Sequence, residues 1–117
     1  MHESSGEIEF EQAIEDALDS LPADLRAFMS NVAIVVEDEP PAGRPLLGLY
    51  EGLPLTRRGS GYTGVAPDKI TIYRRPLARL CGADPTRLRR EIRRVVLHEV
   101  AHHFGISDQR LIELDRY

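Results

Sequence analysis

The sequence predicts an α+β fold, a small sheet packed on helices in two layers. Three observations predict it. An apolar stripe at helical spacing lies near the start, two short β-branched runs occupy the middle, and a well-capped amphipathic helix follows in the C-terminal half. A chain of 117 residues suits one domain with a modest core. Residues 1–6 are read as a flexible N-terminus and 7–117 as that single domain.

Phe10, Ile14, Ala17, Leu18 and Leu21 are spaced i, i+4, i+7, i+8, i+11, so an amphipathic helix is expected over Glu7–Ser20. Pro22 to Met29 adds a short helical turn. Val32–Glu37 is continuous and β-branched and reads as a buried strand. Residues 38–48 are rich in Pro and Gly and form a loop. Leu46–Leu55 reads as a strand or an extended lining segment. Thr56–Gly64 is polar and Gly-rich, a loop. Lys69–Arg74 is a second β-branched strand, and Pro76–Cys81 a short helix that Gly82 stops.

The next helix carries the chemistry. Asp84 suits its N-cap and Pro85 its first turn, where a missing N–H costs nothing. Leu88, Ile92, Val95 and Glu99 share a stripe at about 100° per residue, bordered by His98 and His102. Arg87, Arg90, Arg93 and Arg94 lie off that stripe. Gly105 stops the helix by taking the left-handed turn.

His98-Glu99-Val100-Ala101-His102 is therefore an HExxH motif on a helix. Residues i and i+4 share a face, so both imidazoles reach one Zn²⁺ while the Glu between them holds the attacking water. In the longer pattern HExxHxxGxxH the last His is a third ligand, reached through the bend at the Gly. Here Gly105 keeps its place and Asp108 stands at the third position. Asp108 admits two readings. Carboxylate oxygen is an ordinary zinc ligand, and a catalytic site needs three protein ligands. With Ser107, Asp108 is also a natural N-cap for a last helix over Gln109–Arg116. His103 points away from His98, toward packing or a supporting hydrogen bond.

Composition narrows the class. With 42% apolar and 29% charged residues, the chain is ordinary for a globular protein. No apolar run approaches the roughly 20 residues of a membrane span. The N-terminus is acidic and lacks signal-peptide features. A single cysteine, Cys81, excludes an internal disulfide and reads as a small buried side chain at a helix end. Together these predict a cytoplasmic protein. Residues 1–40 hold eleven Asp and Glu but only Arg26 as a basic residue, whereas residues 41–117 hold fourteen Lys and Arg against eight acids. The Arg cluster has no interleaved aromatic platform, and the net charge is −4. It reads as a solvated face docked against the acidic first helix, with no nucleic-acid or membrane partner.

Three blocks then bring a family into view. They are Leu47-Gly48-Leu49-Tyr50-Glu51-Gly52-Leu53-Pro54-Leu55, Pro67-Asp68-Lys69-Ile70-Thr71-Ile72-Tyr73-Arg74, and Val95 to Asp108 with its HExxHxxGxxD pattern. In this order they resemble the minimal zincin-like metallopeptidases, short bacterial proteins, over residues 7–115. The resemblance implies a cut-down zincin fold, a small mixed sheet packed on helices with the HExxH helix beneath a cleft. It implies one zinc per chain at His98, His102 and Asp108, with Glu99 as catalyst. The chain departs from metzincins in carrying Asp for the third His, and no Met-turn is expected in the nine residues after Asp108.

The expected activity is zinc-dependent hydrolysis of a peptide or protein substrate, with Glu99 as general base. An extended peptide would pair with a sheet edge, either Lys69–Arg74 or Leu47–Glu51. Oxyanion help would come from Tyr50, Tyr62, Tyr73 or Tyr117. Two alternatives stay open: an amidase or esterase acting on a small substrate, and a zinc-stabilised regulatory or binding domain without turnover. The last would need a fourth protein ligand on the zinc, from His103, Cys81 or another chain.

Overall fold

The computed structural model describes residues 2–52 and 68–106, with side chains described from residue 9 onward. The elements run α1 (His2–Asp19), α2 (Ala23–Arg26), a 3₁₀ turn (Ala27–Met29), β1 (Val32–Glu37), β2 (Gly48–Glu51), β3 (Asp68–Tyr73), α3 (Arg74–Cys81) and α4 (Pro85–His103). Helix α1 begins upstream of the expected Glu7. Once nucleated, a helix propagates through its backbone hydrogen bonds and needs no apolar stripe to mark each turn. The expected loop Thr56–Gly64 and the last helix over 109–116 lie outside the described residues.

The sheet is mixed, in the order β1-β3-β2. β1 pairs parallel with β3, Ile34 opposite Ile70, and β2 pairs antiparallel with it, Tyr50 opposite Ile70. β3 is thus central, and Asp68, Ile70, Thr71, Ile72 and Tyr73 are all buried. Two expectations change. Among the described residues Val32–Glu37 pairs on one side only and is partly exposed rather than buried, with Val36 37% exposed. Lys69–Arg74 offers no free edge, because both of its sides are paired. An apolar β-branched run does not distinguish centre from edge, since that depends on which strands come to flank it.

Helix α4 organises the rest. It contacts β2 and β3 of the sheet as well as α1 and α3. The core joins Phe10, Ala13, Ile14 and Ala17 of α1 to Ile92, Val95, Val96 and Val100 of α4, with Ile70, Ile72 and Leu77. Burying each such large aliphatic side chain contributes about 1.5–3 kcal/mol. The Arg residues of α4 are exposed as expected. Arg89, Arg90 and Arg93 line a groove against Ala13, Asp16 and Ala17 of α1, so the basic face does meet the acidic helix.

The ends of α4 are fixed locally. Asp84 caps the N-terminus, its carboxylate accepting from the backbone N–H of Thr86 at 3.0 Å and of Arg87 at 3.1 Å. At the C-terminus the Gly105 N–H donates to the His102 carbonyl and the Ile106 N–H to the Ala101 carbonyl, both at 2.9 Å. With Gly105 at φ 87°, this is the paired ending that Gly at C′ permits. Cys81 is buried at the end of α3, as expected, and burial pushes its thiol pKa up.

Candidate metal centre

The i, i+4 spacing on α4 places the two imidazoles side by side. The rings of His98 and His102 have centroids 4.7 Å apart at an interplanar angle of 71°. His98, Glu99 and His102 each offer one ligand atom, and these atoms lie within 4.8 Å of one another. His102 Nδ1 lies 3.2 Å from Glu99 Oε1. Imidazole nitrogen is an ordinary zinc ligand, and the two rings stand close enough together, with a carboxylate beside them, to share one ion. The residues present therefore fit the metal.

Burial separates the roles of the three side chains. Glu99 is buried, 7% exposed, while His98 and His102 are half-buried. Glu99 is reached from a cleft of about 210 Å³ lined by Pro45, Leu46, Leu47, Gly48, Arg94, Val95, His98 and Glu99. One wall is the segment entering β2 and the other is α4. Most of the described lining is apolar, and Arg94 and His98 bring basic side chains to it. Among the described residues β2 pairs only with β3, so of the two strands expected to offer an edge, it is the one at the side of the sheet.

Gly48 is why the two walls come so close. A Cβ there would stand 2.6 Å from Val95 Cγ1 and 3.3 Å from Glu99 Cγ. Sequence reasoning quoted Gly48 only as part of a block. Its packing role becomes visible once β2 is laid on α4.

A second cluster lies behind the first. His103, 2% exposed, directs Nδ1 to Asp68 Oδ2 at 2.8 Å, and its Nε2 lies 3.2 Å from the Phe28 carbonyl. The Tyr50 hydroxyl donates to the same Asp68 oxygen at 2.6 Å and lies 3.4 Å from His103 Nδ1. The supporting hydrogen bond expected of His103 is present. Sequence reasoning quoted Asp68 only as part of a block, and a carboxylate opening a β-branched strand was the available signal.

The tyrosines sort themselves in part. Tyr50 donates its hydroxyl to Asp68. Tyr73, 2% exposed, lies at the opposite end of β3 from Asp68, and its hydroxyl pKa is raised, first by burial and then by Glu37 and Glu51. Tyr62, Tyr117 and Asp108 lie outside the described residues. No helix among the described residues is long and apolar enough to cross a membrane.

No curated protein matches the chain. A family model described as zincin-like metallopeptidase matches residues 29–117, from the last residue of the 3₁₀ turn onward, leaving α1 and α2 wholly outside the match. That segment includes β2, β3, the whole HExxH helix and position 108. With His98, Glu99 and His102 gathered on one helix, and with most of its length covered by that match, the chain belongs to the zincin-like metallopeptidase family.

Proposed function

We propose that this domain is a zinc-dependent peptidase that takes an extended peptide along β2 and cleaves it at the cleft beside Glu99. The observation that carries this is the clustering of His98, Glu99 and His102, with His98 and Glu99 lining a largely apolar cleft next to β2. His98 and His102 hold the metal, one per chain, and Asp108 completes the ligand set after the Gly105 bend. Zinc held there supplies a Lewis acid that polarises the scissile carbonyl and makes the attacking water more acidic.

The chain's own residues do the remainder. Glu99 Oε accepts the proton of the attacking water and later delivers it to the leaving amine. Its burial keeps bulk water from competing for that oxygen. Backbone N–H and C=O groups of β2 align the peptide by strand addition. Leu46, Leu47 and Val95 receive an apolar side chain next to the scissile bond. The small volume of the cleft also admits a short amide or ester, which is the second reading.

The test compares parent and Glu99→Gln at equal zinc occupancy on a peptide library and a panel of small amides and esters. Peptide cleavage that falls about 10²–10⁴-fold in Glu99→Gln supports the peptidase. Turnover confined to the small substrates favours the amidase or esterase. Equal turnover in Glu99→Gln overturns the role of Glu99. Zinc bound by four protein ligands with no turnover establishes the regulatory or binding domain instead.

A further inference from the structure

His103 follows the metal-ligating His102 directly, and the helix turns it about 100° away from the ligand face. It enters the interior, where a polar ring is costly unless its nitrogens are engaged. Both are: Nδ1 faces the Asp68 carboxylate at 2.8 Å and Nε2 the Phe28 carbonyl at 3.2 Å. Asp68 takes the Tyr50 hydroxyl at 2.6 Å as well. A Cβ built on Gly52 would overlap the Asp68 carboxylate, so the exit of β2 also rests on it. Four segments therefore meet at one ring: the end of α4, the start of β3, the edge strand β2 and the 3₁₀ turn.

Packing alone does not ask for this arrangement. Apolar side chains of similar volume fill such a space without the desolvation cost of a carboxylate and an imidazole. What the polar contacts add is direction, and they add it at a position where α4 needs it. His102 lies in the last turn of the helix, and helix ends fray. His98 lies a turn further in, near the apolar packing of Val95 and Val96 against the core. A metal accepts its ligand atoms within about 0.2 Å of their ideal distances. Fraying at His103 would carry His102 out of that range, and hydrogen bonds at fixed geometry oppose it.

We propose that Asp68 and His103 are a positioning pair for the metal centre, holding the last turn of α4, and with it His102, in register with the edge strand through Tyr50. This rests on the zinc reading above. The pair touches neither metal nor substrate. It sets where His102 stands relative to His98, and it fixes the distance between the metal helix and the strand along which the substrate lies.

The test measures zinc affinity by competition with a chromophoric chelator, together with the visible spectrum of the cobalt-substituted protein, which reports ligand geometry. Parent, Asp68→Ala, Asp68→Asn, Tyr50→Phe and the core variant Leu77→Ala are compared at a temperature where circular dichroism shows each to be folded. Asp68→Ala is expected to raise the zinc Kd about 10- to 100-fold and to shift the cobalt spectrum. Asp68→Asn, which keeps an acceptor oxygen in place, recovers most of the affinity. Tyr50→Phe gives a smaller rise, about 2- to 10-fold. Leu77→Ala, at a fully buried site on α3, lowers the melting temperature but keeps the parental Kd and spectrum. Parental Kd and spectrum in folded Asp68→Ala overturn the proposal, as does a Leu77→Ala shift equal to that of Asp68→Ala. If Asp68→Ala does not fold, Tyr50→Phe decides, and unchanged values there overturn it. A parent that binds neither zinc nor cobalt overturns the zinc reading itself, a result separate from either of these.

Discussion

Gly48 of β2 lies directly against Val95 of α4: a Cβ on Gly48 would come 2.6 Å from Val95 Cγ1. Both residues line the cleft beside Glu99, so this one approach sets its width. The distance is shorter than carbon atoms tolerate, and Val95 sits at the end of a stiff β-branched side chain. Neither wall can yield without moving its element.

Gly48→Ala is therefore expected to destabilise the fold by about 1–3 kcal/mol through overpacking. Because the same Cβ stands 3.3 Å from Glu99 Cγ, the variant should also displace the proposed base. Denaturant unfolding checks the first effect. A Gly48→Ala protein as stable as the parent would show that β2 does not press on α4 in solution.

Metal binding is predicted to need both imidazoles. Protein purified without chelator should carry close to one zinc per chain, and His98→Ala with His102→Ala should carry almost none by elemental analysis. Asp108→Ala should weaken retention strongly; if 109–116 form the helix that the sequence predicts, Ser107 is an alternative cap and the cost in fold stability is about 1 kcal/mol or less. Zinc retained at the parental level in Asp108→Ala would assign that carboxylate to capping alone.

Asp84 holds two of the first backbone N–H groups of α4, at 3.0 and 3.1 Å. Asp84→Ala leaves both without a side-chain acceptor and should cost about 0.5–2 kcal/mol in thermal or denaturant unfolding. The cap sits at the far end of the helix from His102, so zinc stoichiometry should not change. A loss of zinc in a folded Asp84→Ala protein would contradict this separation.

Cys81 is 4% exposed, and burial raises its thiol pKa. The reactive species is the thiolate, so two effects act in one direction at neutral pH: little thiolate forms and little reagent reaches it. Alkylation by iodoacetamide at pH 7.5 should be slow in the folded protein and should accelerate sharply across the unfolding transition. Fast labelling under native conditions would mean that the end of α3 opens readily.

The features legible in the sequence were those decided by neighbours along the chain. Asp84-Pro85 and Gly105 delimit α4 because caps are satisfied within a few residues, and the HExxH spacing places His98, Glu99 and His102 together because a helix returns to the same face every turn. The β-branched runs marked β1 and β3 as strands for a similar local reason. Tertiary structure alone decided that β3 is central and that, among the described residues, β2 lies at the side, which leaves Leu47–Glu51 rather than Lys69–Arg74 of the two strands expected to offer an edge. It also decided that Asp68 meets Tyr50 across 18 residues and His103 across 35. Such contacts depend on how the closed chain packs its elements, and periodicity within a single element carries no record of which partner will lie against it.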